Sequence, residues 1–311
     1  MTDNRSLSDW IVHSINIHGA FFEAWCRDVV SRAPGWSVTH YNYPVEWPRF
    51  KDGQRGQESS ADLIAEWRQQ LFRLSFVIEC KKNNPDFTEW VFFPKRGIYT
   101  STPSRVYQLK LQVDAAGRVS IGEKALGPFP WMSVVAEDGR ETRADYLAYR
   151  KNDKTRTSNA AITDAARQVA LAYRAIGDEV AEDAVRGVTP EEVPFHERDH
   201  VVVPIIVTTA RLHVCEFSPA DVDPRSGELP LDKAKLREVT HLRYEYALPP
   251  ALQWQTSPSA KNERDWREGT IRQWIAVINS RYFEAFLKHY AAHLNEWVHM
   301  TPFPDDPAAF P

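Results

Sequence analysis

The stretch Phe76 to Lys82 reads FVIECKK and sets a carboxylate and an ammonium two residues apart at the end of an apolar run. Side chains of a β-strand alternate between faces, so Val77, Glu79 and Lys81 share one face while Phe76, Ile78 and Cys80 share the other. A preceding segment at 60–67, SADLIAEW, places Asp62, Ile64 and Glu66 on one face and Ala61, Leu63 and Ala65 on the other. If the two segments form a hairpin turning at Gln69 to Phe72, Asp62 falls opposite Glu79, with Cβ atoms ~5 Å apart. Two carboxylates so placed repel each other unless a divalent cation lies between them, and Lys81 stands within reach of the same spot. The turn holds no Gly to pin the register, and a slip of one residue would send one acid to the opposite face. The bland alternative is an exposed cross-strand ion pair, worth under ~1 kcal/mol.

The elements that must hold these residues are legible around them. Residues 16–32 carry Phe22, Trp25, Cys26 and Val29 at helical spacing, a first helix with an apolar stripe and Glu23 beside that stripe. Trp36 to Val45 reads as a strand, Lys51 to Gln57 as a loop, and two further strands follow near Ser60 to Arg68 and Ser75 to Lys82. Residues 83–157 hold short strand-like pieces, Trp90 to Phe93 and Val106 to Val113, broken by Pro and Gly, and read as an insertion. Ala160 to Ile176 is the strongest helix by propensity. VVVPIIVTTA and RLHVCEF read as buried strands, with Pro204 counting against a central ladder position for that residue. Arg272 to Asn279 reads as a strand, Tyr282 to Trp297 as a helix, and the Pro-rich tail TPFPDDPAAFP as unstructured. The order lacks regular βαβ alternation, so a mixed-sheet α/β fold is expected.

At Asp62, Glu79, Lys81 and Glu23 the sequence resembles the PD-(D/E)xK phosphodiesterase superfamily, the restriction-endonuclease-like nucleases. Asp62 matches the first acid on a hairpin strand, Glu79 and Lys81 match Glu-x-Lys on the next, and Glu23 in FFEAW matches the acid of the preceding helix. The resemblance covers roughly residues 15–210. Ala61 stands where the motif has proline, and Gln168 with Tyr173 is one residue wider than the Gln-x-x-x-Tyr of some of these nucleases. The resemblance implies an αβββαβ core over 1–217 with an insertion at about 83–157, a C-terminal strand–helix extension packed on it over 218–300, and a disordered tail over 301–311. It implies that Asp62, Glu79 and the Cys80 carbonyl hold Mg²⁺, or Mn²⁺ in its place. Lys81 would orient a water or neutralise charge building on the phosphate. DNA is the implied substrate, RNA the alternative, and a homodimer or partner subunit could supply recognition. Restriction or anti-phage defence is the implied context. The rival expectation is a non-catalytic nucleic-acid-binding or assembly module that keeps the fold.

Composition bounds the rest. The 311 residues are 43% hydrophobic, 26% charged and 12% aromatic with 11 Trp, a globular balance rather than a disordered one. The longest apolar run, Val201 to Val207, falls far short of the roughly 20 residues that span a bilayer, so no membrane partner is expected. Three cysteines and no basic-then-apolar leader point to a reduced, cytoplasmic setting. The net charge of −4 advertises no global nucleic-acid surface. Locally, Arg143, Arg150, Lys151, Lys154 and Arg156 form a basic cluster, of which Arg150, Lys151, Lys154 and Arg156, with Lys82 and Gln168, are the candidate nucleic-acid contacts. A solvated loop is the competing reading of that cluster. HERDH at 196–200 formally fits the zinc-protease helix pattern, but Pro194 before it and the β-branched run after it favour entry into a strand. His289 and His293 share a helix face with no acid or Cys nearby to complete a ligand set. No P-loop occurs, and neither Cys26 nor Cys80 has a His at suggestive spacing.

Overall fold

The expected period-two segments become strands, and their apolar faces decide what packs on each side. The computed structural model describes residues 6–46, 58–69, 72–83, 87–94, 107–113, 119–125, 142–150, 157–158, 160–185, 199–247 and 272–300. Helices α1 (Leu7–His18) and α2 (Ala20–Arg32) lead into an antiparallel meander of β1 (Trp36–Glu46), β2 (Glu58–Gln69) and β3 (Phe72–Lys81). Strands β4 (Phe87–Pro94), β5 (Tyr107–Val113), β6 (Val119–Ala125), β7 (Thr142–Arg150) and β8 (Thr157–Ser158) come next, then helix α3 (Ala160–Val185). The chain continues through β9 (Asp199–Thr208), β10 (Arg211–Glu216), β11 (Lys235–Val239), β12 (His241–Ala247) and β13 (Arg272–Asn279) to α4 (Phe283–Met300).

The described strands join one mixed sheet in the order β1-β2-β3-β9-β13-β12-β7-β4-β10-β11, with β5, β6 and β8 attached off that path. The fold is α/β, with parallel and antiparallel pairing in the same sheet, and the described strands form no barrel. β9 runs parallel to β3 along its whole length, and β13 runs parallel to β9. Strands from 83–157 are part of this sheet: β4 pairs with β10, β7 with β12, and β5 with β9.

Alternation along β2, β3 and β9 splits the core in two. Leu63, Phe76, Ile78, Cys80, Val203 and Ile205 face α2 and α4, packing with Cys26, Val30, Phe286 and Tyr290. Ile64, Val77, Val202 and Ile206 face α3, packing with Ile162, Ala166, Val169 and Tyr173. The centre of the sheet is therefore covered on both faces, which is why its strands read as near-continuous apolar runs.

Four expectations change. The first helix is two helices, because Gly19 takes a left-handed φ of 83° and restarts the chain as α2. Trp25 is not on the buried stripe; it is 39% exposed and stacks on Phe22, while Cys26, Val29 and Val30 carry the packing. Ala61 lies on the α3 side with Ile64 rather than with Leu63. Beyond Leu63 the β2–β3 ladder stops, and a two-stranded β1–β2 ribbon twists more strongly than a sheet interior. Pro204 does occupy a central strand, paired with Val77 on one side. On its other side it falls between the β5 pairing, which ends at Val202, and the β13 pairing, which begins at Ile205, so its missing N–H lies at a break. Strands β11 and β12 were not expected from the sequence. The 51–57 loop and the tail lie outside the described residues.

Phe76 is fully buried against Trp36 and Tyr290, at ring-centroid distances of 4.5 Å and 5.1 Å. Phe76→Ala is expected to cost ~3–5 kcal/mol in chemical denaturation. Leu231→Ala, at a side chain 95% exposed, should stay within about 0.5 kcal/mol of the parent.

Candidate functional site

The β2–β3 hairpin takes the expected register, Leu63 opposite Ile78 and Ile64 opposite Val77, which makes Asp62 and Glu79 the next opposed residues. There the backbone ladder ends, and the Cys80 N–H donates instead to Asp62 Oδ2 at 2.6 Å. Carbonyls of successive strand residues leave on opposite sides. The Lys81 carbonyl accepts from Thr209 N–H on the β9 side at 3.3 Å, so the Cys80 carbonyl opens toward Asp62. The Cys80 side chain lies in the opposite core layer with Cys26, as the parity of the strand requires.

Glu79 and Lys81 face α3. Lys81 Nζ is 3.7 Å from Glu79 Oε1 and donates to Gln168 Oε1 on α3 at 3.4 Å. Glu79 is 3% exposed, and among the described residues its Oε2 has no hydrogen-bond partner. Glu23, half-buried on α2, approaches from the other layer and accepts from the Tyr41 hydroxyl at 3.4 Å. Asp62, Glu79, Lys81 and Gln168 thus meet at the place where the β2–β3 ladder opens, with Glu23 at its border.

The charges there are out of balance. Burial pushes the Asp62 carboxyl up to about 7; the Cys80 N–H opposes this, Glu23 adds to it, and Lys81 opposes it. Burial, then Asp62, drives Glu79 well above the ordinary carboxylate range, and Lys81 offsets only part of that. Glu66, four residues along the same strand as Asp62 and as buried as Glu79, shows the contrast. Burial raises it too, but Arg73 and Arg68 outweigh that and hold it below its ordinary value. It accepts from Arg68 Nη2 at 2.8 Å, from Arg73, and from Ser75 at 3.3 Å. Glu66 on β2 is paired with two arginines, whereas the Asp62–Glu79 pair has Lys81 alone among the described residues, and Lys81 does not outweigh burial.

The donor set fits a hard divalent cation. Two carboxylates and a backbone carbonyl are oxygen ligands suited to Mg²⁺ or Mn²⁺ rather than to Zn²⁺. Among the described residues no group of three or more His, Cys, Asp or Glu side chains is arranged around one point, so solvent or substrate oxygens would complete the coordination.

The remaining candidates separate. Lys82 turns to the end of α1, donating to the Asn16 carbonyl and to Asn16 Oδ1 at 3.4 Å. Arg143 and Arg150 both lie on β7, and Lys151, Lys154 and Arg156 lie outside the described residues. Asp199 and His200 open a strand, so HERDH does not supply two histidines on one helix face. His289 and His293 are both on α4. No helix among the described residues is long and apolar enough to cross a membrane.

Sequence reasoning missed the Glu66 cluster, although the hairpin register predicts that Ser75 lies opposite Glu66. It also missed Glu89, which holds Arg211 and, at 2.6 Å, His213. That contact depends on parallel pairing of β4 with β10, for which the sequence carries no signal. No protein-family model, curated protein or solved structure matches this chain.

The raised Asp62 carboxyl makes metal-free stability pH-dependent. Between its ordinary 3.8 and about 7 the folded state holds a proton that the unfolded state has released, so stability falls as pH rises through that window. The difference amounts to about 4 kcal/mol at pH 7, and Glu79 acts in the same direction. In EDTA, the Tm of Asp62→Asn minus that of the parent is expected to grow between pH 4 and pH 7. A difference that shrinks as pH rises would contradict the assignment.

Proposed function

We propose that the chain is a metal-dependent nuclease of the PD-(D/E)xK, restriction-endonuclease-like type, hydrolysing phosphodiester bonds in DNA. The observation that carries this reading is the pairing of half-buried Asp62 with buried Glu79, short of positive charge at the open end of the hairpin, with Lys81 beside it. The order α2, β1–β2–β3, α3, β9, with β9 parallel to β3, supports the αβββαβ core that such an enzyme requires.

In this reading Asp62, Glu79 and the Cys80 carbonyl would hold Mg²⁺ or Mn²⁺, which would supply Lewis-acid polarisation of a phosphate oxygen and a bound water of lowered pKa. Asp62 keeps its place through the Cys80 N–H, which fixes the carboxylate against β3. Glu79 brings an oxygen that has no other partner among the described residues. Lys81, held between Glu79 and Gln168, sets an ammonium where negative charge builds on the phosphate during in-line attack. Gln168 orients that ammonium from α3. Glu23 adds a third carboxylate at the border. Restriction or anti-phage defence in the cytoplasm is the context this activity would serve.

Incubation with plasmid, single-stranded DNA and RNA, in Mg²⁺ or in EDTA, tests the reading. Cleavage of DNA in Mg²⁺ only is expected, lost in Asp62→Asn and in Glu79→Gln while both variants stay folded. Lys81→Met should lower the rate by ~10²-fold or more, with nucleic-acid affinity in Ca²⁺ changing far less. Full activity in EDTA, or nucleic-acid binding without products under every metal, overturns it; the second result would identify a binding module instead.

A further inference from the structure

We propose that Tyr41, braced by Arg27, is a positioning residue that holds the Glu23 carboxylate toward the Asp62–Glu79 centre; this rests on the reading of that centre as a divalent-cation site. Strand β1 slips against β2 by one residue between Val38 and His40, a bulge that gives Tyr41 the facing of Val38 before it. Tyr41 then pairs with Leu63, whose side chain lies in the α2 layer, so Tyr41 is presented to α2. The next residue, Asn42, has a φ of 51° and is the one non-glycine residue with positive φ among those described. Such a conformation is costly and persists where surrounding structure enforces it. Beyond it Tyr43 and the buried Val45 lie in the α3 layer, so the bend at Asn42 carries the end of β1 from one core layer to the other, while Tyr41 itself stays 40% exposed.

The bulge brings the phenol to Glu23. The hydroxyl donates to Glu23 Oε2 at 3.4 Å, and the Arg27 guanidinium sits 4.9 Å from the ring centroid. Glu23 and Arg27 are four residues apart on α2 and so lie on one face of that helix. Glu23 needs holding. Its charge raises both Asp62 and Glu79, so all three carboxylates repel one another, and an unrestrained Glu23 would swing to solvent. A neutral donor at Oε2 keeps it near the centre, where its free oxygen can take a hydrogen bond from water on the cation. Such outer-shell partners tune affinity without touching the ion.

The test is Mn²⁺ affinity, by calorimetry and by electron paramagnetic resonance, of the full chain as parent, Asp62→Asn, Glu23→Gln, Tyr41→Phe and the Glu23→Gln/Tyr41→Phe double variant. Tyr41→Phe keeps the ring under Arg27 and removes only the hydroxyl. Glu23→Gln and Tyr41→Phe should each weaken Mn²⁺ by about tenfold, and the double variant should be no weaker than Glu23→Gln alone, as expected for one residue acting through the other. Parent-like affinity in Tyr41→Phe, or additive losses in the double variant, overturns the inference and leaves the metal centre intact. A parent that binds no Mn²⁺, or an Asp62→Asn variant that binds as well as the parent, overturns the underlying reading and the inference with it.

Discussion

Two neighbouring carboxylates, Glu79 buried and Asp62 half-buried, without enough positive charge are the constraint on which this structure turns. Asp62 and Glu79 meet where the β2–β3 ladder gives out, and the Cys80 N–H is the main compensation available to Asp62. Removing such groups from water costs several kcal/mol per ion unless protons or cations offset it. The protein tolerates the arrangement because the rest of the hairpin is anchored independently. Phe76 and Ile78 lock β3 to α2 and α4, while Val77 locks it to α3. Packing therefore fixes the strands, and the Cys80 N–H and Gln168 fix the side chains on them, as a preorganised centre requires.

The same hairpin shows what a purely structural acid looks like. Glu66 is as buried as Glu79, yet two arginines and a serine take up its oxygens. Had evolution needed only a satisfied carboxylate at the end of the hairpin, the Glu66 solution was available four residues away. Lys81 is no equivalent of Arg73, since at 3.7 Å from Glu79 and also engaged by Gln168 it leaves Glu79 above the ordinary range. The imbalance sits at one end of the sheet, at the border of two core layers, where strand β9 continues parallel to β3 and the chain ends of both are tied by Thr209 and Asn83.

Much of this was legible in the sequence, for reasons that can be named. The faces of the hairpin strands followed from the period of two in FVIECKK and SADLIAEW, and the register from a turn at Gln69 to Phe72, because parity alone leaves slips of two residues open. Cys80 was placed in the core by the same parity. Strand β13 carried its limits in its composition, as did most of α3. What failed did so where a local conformation or a distant pairing intervened. Gly19 breaks a helical stripe that sequence period alone continues, and the bulge at Val38/His40 turns Tyr41 toward Glu23 against simple alternation. Gln168 reaches Lys81 across 87 residues, and Glu89 reaches His213 across 124, through pairings and packing that no local pattern encodes.

The central claim is that Asp62, Glu79 and the Cys80 carbonyl form a cation site, and anomalous scattering from a crystal soaked in Mn²⁺ addresses it most directly. A single strong peak is expected within about 2.0–2.6 Å of a carboxylate oxygen of each acid and of the Cys80 carbonyl oxygen. Glu79 Oε2, which has no partner among the described residues, is expected to be one of the ligands. A crystal with clear density for both side chains and no anomalous peak between them would contradict the claim, as would a peak held elsewhere with Asp62 still bonded to Cys80 and Glu79 protonated.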